Sequence, residues 1–423
     1  MRRRDFLKNS ALGSAALALN PWLPHGPDRA IKAQVSDTSR SAIKKQAAYL
    51  VLEGPPRSRG RIHGEALRSQ INALMEIWKD QLGRQYKVDP KQYIQKFLAD
   101  TKFPEAIRKW TPGLMEEVRG IAEGAAVDAE TMLAYQFVDE EWWYGGHGYF
   151  QTGKPVPMDK NCSALAVSGQ PGLPTFVAQN LDIPAYTDGY QALLHIKHQN
   201  SSLQSLVFVY AGMISLCGMN NRGVGEVVNA LLQLNHRGDG LPVAFINRGI
   251  LECGSLEEAV KFIRQIKHAS GQNYIVGGPQ QVVNFEGSAN KVSRSEPLGA
   301  AARIYHTNHP LVNDDQSIIQ ELIKGLPQGR GPRHPDNSEI RLMALEKRLK
   351  DPAKRITVDV IKEALSSKDD PRNPVCLERR PDERGSFTAG CLIMELSEKP
   401  KLHFAPGPPC ATEFQTHTFV DAL

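Results

Sequence analysis

Cysteine is scarce in this chain and nowhere paired at close spacing. Cys162, Cys217, Cys253, Cys376, Cys391 and Cys410 are the whole set in 423 residues. Without a Cys-x-x-Cys pair or dense spacing, neither a zinc-ribbon pattern nor a small disulfide-stapled domain fits. Long apolar runs are missing too. The stretch 11–19 is only mildly apolar and too short to span a bilayer as a helix. There is no internal repeat and no low-complexity tract, and 41% hydrophobic content is that of an ordinary folded chain with one large domain or two smaller ones. Surplus charge is small: 51 basic against 46 acidic residues, a formal +5.

Much of that surplus sits at the N-terminus. Arg3-Arg4-Asp5-Phe6-Leu7-Lys8 followed by a weakly apolar segment reads as a twin-arginine export signal. Processing near Ala33 removes six basic and two acidic residues and leaves 45 against 44, a net charge of +1. Charge then gives no footprint for nucleic acid. The expectation is a signal over 1–33, export to the periplasm or beyond with the twin-arginine translocase as partner, and no stable membrane span. Export permits disulfides; if Cys162 is kept for chemistry, five cysteines remain and at least one stays unpaired, with no indication of which.

Residues 36–49 are polar and basic and read as a lead-in. Leu67, Ile71, Leu74, Met75, Trp78 and Leu82 recur at helical spacing, with Gly83 as the expected stop. Leu114, Val118, Ile121 and Ala125 repeat that period, and Asp128 is placed to cap the next helix. A loop is expected from Tyr144-Gly145-Gly146-His147-Gly148 to Asn161. From Cys162 the pattern changes to short strands at 162–167, 175–179, 193–198, 206–210 and 225–231, with Gly, Pro and Asn turns between them. Helices are expected at 242–251 and 255–266, the second opened by Ser255 and Glu258 as a capping box. Strands near 282–285 and 303–307, helices at 338–350 and 358–365, and strands at 390–396 and 401–405 complete the pattern. Central antiparallel strands flanked by helical blocks predict an α+β fold of two sheets covered by helices on both outer sides.

The residue with the most chemistry in it is Cys162, at the head of Cys162-Ser163-Ala164-Leu165-Ala166-Val167 and after Asn161. Cutting the Asn161-Cys162 bond would give Cys162 a free α-amino group. Such an amine has an ordinary pKa of about 7.7–8.0 and can take the proton of its own thiol. A lone cysteine at a strand head is more often a small buried hydrophobe. Here it is one of an ordered series: Gly60-Arg61-Ile62-His63-Gly64, Gly120-Ile121-Ala122-Glu123-Gly124-Ala125, Asn161-Cys162-Ser163, Gln179-Asn180-Leu181-Asp182, Gly218-Met219-Asn220-Asn221-Arg222-Gly223, Thr307-Asn308-His309 and Ala405-Pro406-Gly407-Pro408-Pro409-Cys410.

By this series the chain resembles the penicillin acyltransferase-like (isopenicillin N acyltransferase-type) cysteine branch of the N-terminal nucleophile hydrolases. The resemblance implies a four-layer αββα sandwich of two antiparallel sheets, a precursor that cleaves itself before the nucleophile, and hydrolysis or transfer of an acyl group at a linear amide through a thioester. It implies fragments 34–161 and 162–423 that stay associated as one domain. Carried over by position, Cys162 is the nucleophile, Asp182 orients the freed amine, and Asn308 donates to the oxyanion. Leu181 stands where the family usually has an aromatic residue, and Asn161 where a small residue is familiar. Gln179, in place of the arginine of the bile-salt-hydrolase branch, favours the penicillin acyltransferase side.

Asn180, Gln179 and Asn229 are further candidates for substrate or oxyanion contacts, with His309 and Arg384 behind them. Each has a plainer reading: a turn before Pro184 for Asp182, a strand-end cap for Asn308, a satisfied core amide for Asn229, an exposed loop residue for Arg384. His195 and His198 do not share a strand face. His306 and His309 lack a third ligand at suitable spacing, so no metal site is expected, and no cofactor is implied. Glu140-Glu141-Trp142-Trp143-Tyr144 either lines an acyl pocket or anchors its segment on the core. Coenzyme A is a cytoplasmic metabolite, so water is the favoured acyl acceptor for an exported protein. The competing readings are an unprocessed thiol hydrolase pairing Cys162 with a histidine such as His309, and a non-catalytic binding protein that keeps the fold.

Overall fold

A computed structural model of the chain describes residues 46–151, 162–298, 302–317, 336–379 and 385–419, leaving aside the side chains of 146–151. The twin-arginine segment, Asn161 and Arg384 lie outside the described residues. Everything described falls in the compact unit Ser41–Leu423.

Strand alternation sets the layers. In β2 (Ser163–Val167) Ala164 and Ala166 point into the space between two sheets, while Leu165 and Val167 point the other way. All five residues are buried, because both faces of the strand are covered, which is why β2 reads as a continuous apolar run. β3 (Thr175–Pro184) pairs with it antiparallel. The same sheet is completed by β11 (Arg303–His306), β12 (Ser386–Leu396), β13 (Lys401–Ala405) and β14 (Gln415–Thr418), in the order β11-β2-β3-β12-β13-β14. A second sheet has eight strands: β1 (Ala48–Leu52), β4 (Gln191–Lys197), β5 (Gln204–Tyr210), β6 (Cys217–Asn220), β7 (Gly225–Ala230), β8 (Gln272–Gly277), β9 (Val282–Gly287) and β10 (Val292–Ser295), paired in that order. Phe208, Met219, Val227 and Ile275 from it meet Val177, Leu392, Met394 and Phe404 from the first sheet.

The outer face of the eight-stranded sheet is covered by α1 (Pro56–Ala66), α2 (Arg68–Tyr86), α3 (Pro90–Asp100), α4 (Phe103–Trp110), α5 (Pro112–Ala125), α6 (Ala129–Tyr135), α8 (Val243–Leu251) and α9 (Leu256–Gln265). α7 (Val138–Gln151) continues that block. On the other side, α10 (Asn337–Leu349) and α11 (Val358–Leu365) bury Leu345, Leu349, Ile361 and Leu365 against Leu165, Phe176 and Ile393. The architecture is the expected α+β arrangement of two sheets between helical layers.

The α1–α5 crossing explains two of the glycine motifs. A Cβ on Gly60 would lie 1.9 Å from Glu117 O, one on Gly64 2.3 Å from Ile121 O, one on Gly120 2.0 Å from Arg57 O, and one on Gly124 2.3 Å from Arg61 O. Glycine every fourth residue on both helices lets the backbones touch. At the same crossing Glu117 is buried between Arg59 (2.9 Å) and Arg248 (2.8 Å). Burial alone would raise its pKa, but the two guanidinium groups outweigh that and hold it at about 2. Gly120→Ala forces the helices apart, and its expected cost is about 1–3 kcal/mol, read as a fall in the urea midpoint.

Several local expectations are corrected. α2 does not stop at Gly83 but runs to Tyr86, ended by Lys87 in the left-handed region (φ 55°). Gly83 is instead where Pro90, at the start of α3, packs, with Cγ 3.3 Å from a Cβ placed there. The expected loop from Tyr144 is helical to Gln151; Gly145 leaves room for Tyr86, whose Oη lies 2.1 Å from where a Cβ would stand. The lead-in ends in β1, which begins at Ala48 and pairs parallel with β4, so the larger sheet is mixed rather than wholly antiparallel. The Ser255 cap is present, but Glu258 reaches Gly254 N rather than closing the box on Ser255. β3 runs on to Pro184 through Gln179, Asn180 and Asp182: Gln179 donates to Val228 O, Asn180 to Leu365 O and Val375 O, and Thr388 donates to one oxygen of Asp182.

Candidate active site

Cys162 lies one residue before β2, beside Leu181 and Asp182 of β3. It is 5% exposed, and its Sγ lies 3.7 Å from Asp182 O, within reach of a weak S–H donation. Thr388 stands opposite Asp182 on β12 and donates from Oγ1 to Asp182 Oδ1 at 2.7 Å. The same hydroxyl accepts from Leu377 N at 3.0 Å, so its proton is committed to the carboxylate. Asp182 Oδ2 is buried and has no donor. Burial therefore pushes Asp182 up to about 7, with the Thr388 hydrogen bond and the Arg341 charge pulling the other way.

Arg341 joins the pieces. Ser338, Arg341, Leu345 and Leu349 form the buried stripe of α10, and the guanidinium is fully buried. Nη1 donates to Cys162 O at 2.6 Å and Ser163 Oγ at 2.9 Å, Nη2 to Asn308 Oδ1 at 3.1 Å, and Nε to Asn337 Oδ1 at 2.8 Å. One planar fork thus ties the Cys162 backbone to the Asn308 amide, a task a point charge could not do. Burial lowers its pKa to about 10, against the pull of Asp182 and Cys162. Because Arg341 holds Oδ1, the NH₂ of Asn308 faces away from α10; one hydrogen goes to Ala230 O on β7 at 3.1 Å. The sequence carried one usable signal for Arg341: an arginine at a helical position whose neighbours at i+4 and i+8 are leucines.

Cys162, Leu181 and Asp182 form part of the wall of a cavity of about 830 Å³, open mouth included. Trp142, Tyr186, Tyr210 and Met213 supply much of the remainder. Among the described residues no group of three His, Cys, Asp or Glu side chains could hold a metal ion, and no helix is long and apolar enough to cross a membrane.

Residues 169–389 match the model of the family described as acyl-coenzyme A:6-aminopenicillanic acid acyl-transferase. The chain belongs to this acyl-transferase family. Amide hydrolysis or acyl transfer is its chemistry. No curated protein matches the chain in sequence. Among solved structures it is similar to a conjugated bile acid hydrolase from Clostridium perfringens, in two variant forms, each at 14% identity over 62% of this chain and 98% of that one, with a TM-score of 0.41. It is also similar to penicillin V acylase from Agrobacterium tumefaciens, at 14% identity over 58% of this chain and 82% of that one, with a TM-score of 0.37.

For this acyl-transferase relative, the other candidates separate by position. Gln179 is fully buried and clamps one sheet to the other: it donates to Val228 O and accepts from Val228 N. Asn180 turns to the outer face and donates to Leu365 O at 2.7 Å and Val375 O at 2.9 Å. Asn229 accepts from Asn273 Nδ2 at 3.1 Å. None of the three is in the cavity wall, although Val228 and Ala230, the neighbours of Asn229, are. His309 bonds through Nδ1 to Ser338 Oγ at 2.7 Å. His306 is buried against Glu286 at 2.8 Å, and that carboxylate also accepts from the backbone N–H groups of Leu311, Val312 and Asn313. This cluster anchors the loop after Asn308. His195, on β4, bonds Tyr49 and Gln204 and is not in the cavity wall. Of the aromatic-acidic segment, Trp142 lines the cavity, with Asp139 just before the segment; Glu140 turns to Val243 N and Ser270, and Glu141 to Tyr93. Cys376 and Cys410 are bridged, and Cys162, Cys217, Cys253 and Cys391 are in no disulfide.

The raised pKa of Asp182 has a measurable sign. A carboxyl whose folded pKa exceeds its ordinary 3.8 loses its stabilising contribution as pH rises through about 7. In a Cys162→Ala background, adding Asp182→Asn is expected to open a stability advantage that grows between pH 4 and 7. Chemical denaturation across that range checks it; a flat difference would mean that Asp182 is already ionised in the fold.

Proposed function

We propose that the chain is an exported precursor that cuts itself between Asn161 and Cys162, then hydrolyses a linear amide from the new N-terminal cysteine. The observation that supports this most is Asp182 Oδ2, a buried acceptor without a donor, placed beside the residue that would gain an ammonium group. In the precursor, the Cys162 sulfur would attack the Asn161 carbonyl carbon. The C–N bond breaks, the nitrogen takes the thiol proton, and a thioester forms; water then opens it, releasing the carboxylate of Asn161 and the free thiol. The new amine would settle against Asp182, and the ion pair would bring that carboxyl back below its raised value.

In the mature enzyme, the α-amine takes the thiol proton and the thiolate attacks the substrate carbonyl. Asn308 offers its second N–H hydrogen to the developing oxyanion, held in place by Arg341 from behind. The amine product leaves with the proton, and water completes the cycle at the thioester. Water is the acceptor expected outside the cytoplasm, with acyl transfer to an amine as the variant reaction. After cleavage the fragments 34–161 and 162–423 have reason to stay together, since α1–α6 share one apolar core with the larger sheet.

Intact mass and N-terminal sequencing of the purified protein test this reading. The expected result is a fragment that begins Cys-Ser-Ala-Leu and takes up a thiol-reactive acyl probe at Cys162. A single full-length species that still turns over amides would replace it with the thiol-hydrolase reading, and a cleaved protein that fails to label at Cys162 with a binding role.

A further inference from the structure

Two amide side chains in the wall of the Cys162 cavity each present an unpaired oxygen. Gln272 Nε2 donates to Asp139 Oδ2 at 3.1 Å and to Ser270 Oγ at 3.3 Å. Two acceptors on the nitrogen side set the orientation of that amide, and the buried Oε1 is left without a donor. Asn247 repeats the pattern: Nδ2 donates to Leu216 O at 2.8 Å, and the buried Oδ1 has no donor. Ser215 Oγ, also buried in the wall, has no partner. Among the described residues, the charged side chains of the lining are two carboxylates, Asp139 and Asp182, with no lysine, arginine or histidine. Unpaired buried acceptors beside a carboxylate ask for a ligand that donates.

We propose that this cavity selects amides that carry an ammonium or other N–H donor on an apolar body, and turns away amides that carry a carboxylate. Tyr186, Tyr210, Met213 and Trp142 take the apolar body, Asp139 with Gln272 Oε1 and Asn247 Oδ1 take the donor, and a carboxylate in that place would face the Asp139 carboxylate and two amide oxygens. The proposal rests on the reading of Cys162 as nucleophile only for turnover; selection by charge is a property of the wall itself.

Three matched probes test it: the N-phenylacetyl amides of 1,4-diaminobutane, butylamine and 4-aminobutanoate. Their affinities are measured by calorimetry on the full chain with Cys162→Ala, and kcat/KM on the wild-type protein. The ammonium probe is expected to bind at least about tenfold more tightly than the carboxylate probe, with the butyl amide between them. Asp139→Asn is expected to shrink that ratio to about threefold or less. Equal binding, a reversed order, no binding by any probe, or a ratio unmoved by Asp139→Asn would each overturn the proposal. The expected order in calorimetry with no wild-type turnover and no cut at Cys162 would sink the self-cleaving hydrolase reading while leaving charge selection standing.

Discussion

Replacing Cys162 by alanine is expected to leave the chain in one piece and to lower amide turnover by roughly 10⁴–10⁶-fold, the scale seen when a nucleophile is removed. The substitution deletes one sulfur from a buried site and leaves untouched the backbone carbonyl that Arg341 holds. The fold is therefore expected to survive, and the loss to be chemical. Two readouts separate the steps: intact mass reports whether the Asn161-Cys162 bond opened, and turnover reports the second reaction. Serine at the same position keeps an attacking group but a much weaker one, so slow, partial processing is the expected result. If Cys162→Ala still yields two chains, an external protease makes the cut and the intramolecular account is wrong.

Arg341→Met has the largest expected effect on the fold and the site together. Methionine fills much of the volume but leaves Cys162 O, Ser163 Oγ, Asn308 Oδ1 and Asn337 Oδ1 without their donor, and Asp182 without its nearest buried cation. Removing one member of such a buried network costs about 3–5 kcal/mol. Activity is expected to fall by a further 10²-fold or so, since the Asn308 amide becomes free to turn and small misplacements are expensive in rate. Arg341→Lys restores the charge without the fork, so it should recover part of the stability and little of the turnover. Urea unfolding of uncleaved protein and single-turnover kinetics give the two numbers. A stability within 1 kcal/mol of the parent would show that the network is not what holds Cys162 and Asn308 together.

What could be read from the chain follows the range of each interaction. Asp128 caps α6 through Thr131 N, Ser255 caps α9 through Glu258 N, and the apolar stripes of α2 and α5 are buried as their spacing requires. All of these are settled within a few residues. Gly83 and Gly145 misled because the reason for each glycine is a neighbour from elsewhere, Pro90 in one case and Tyr86 in the other. Asn180 and Gln179 stand beside Asp182 in sequence, yet alternation sends one outward to α11 and the other across to β7. The disulfide Cys376–Cys410 and the parallel pairing of β1 with β4 left no local trace at all.

The amino-acid sequence alone determined which peptide bond has a thiol on its C-terminal side, which family that pattern belongs to, and the alternation that makes two apolar sheets between helices. Tertiary structure alone decided that Arg341 reaches Cys162 across 179 residues and that Thr388 aims at Asp182 across 206. It also decided which polar side chains face the cavity. The reason is physical: periodicity and caps are short-range and repeat along the chain, whereas a buried guanidinium or carboxylate takes its role from groups that only the packing of distant elements brings within hydrogen-bond distance.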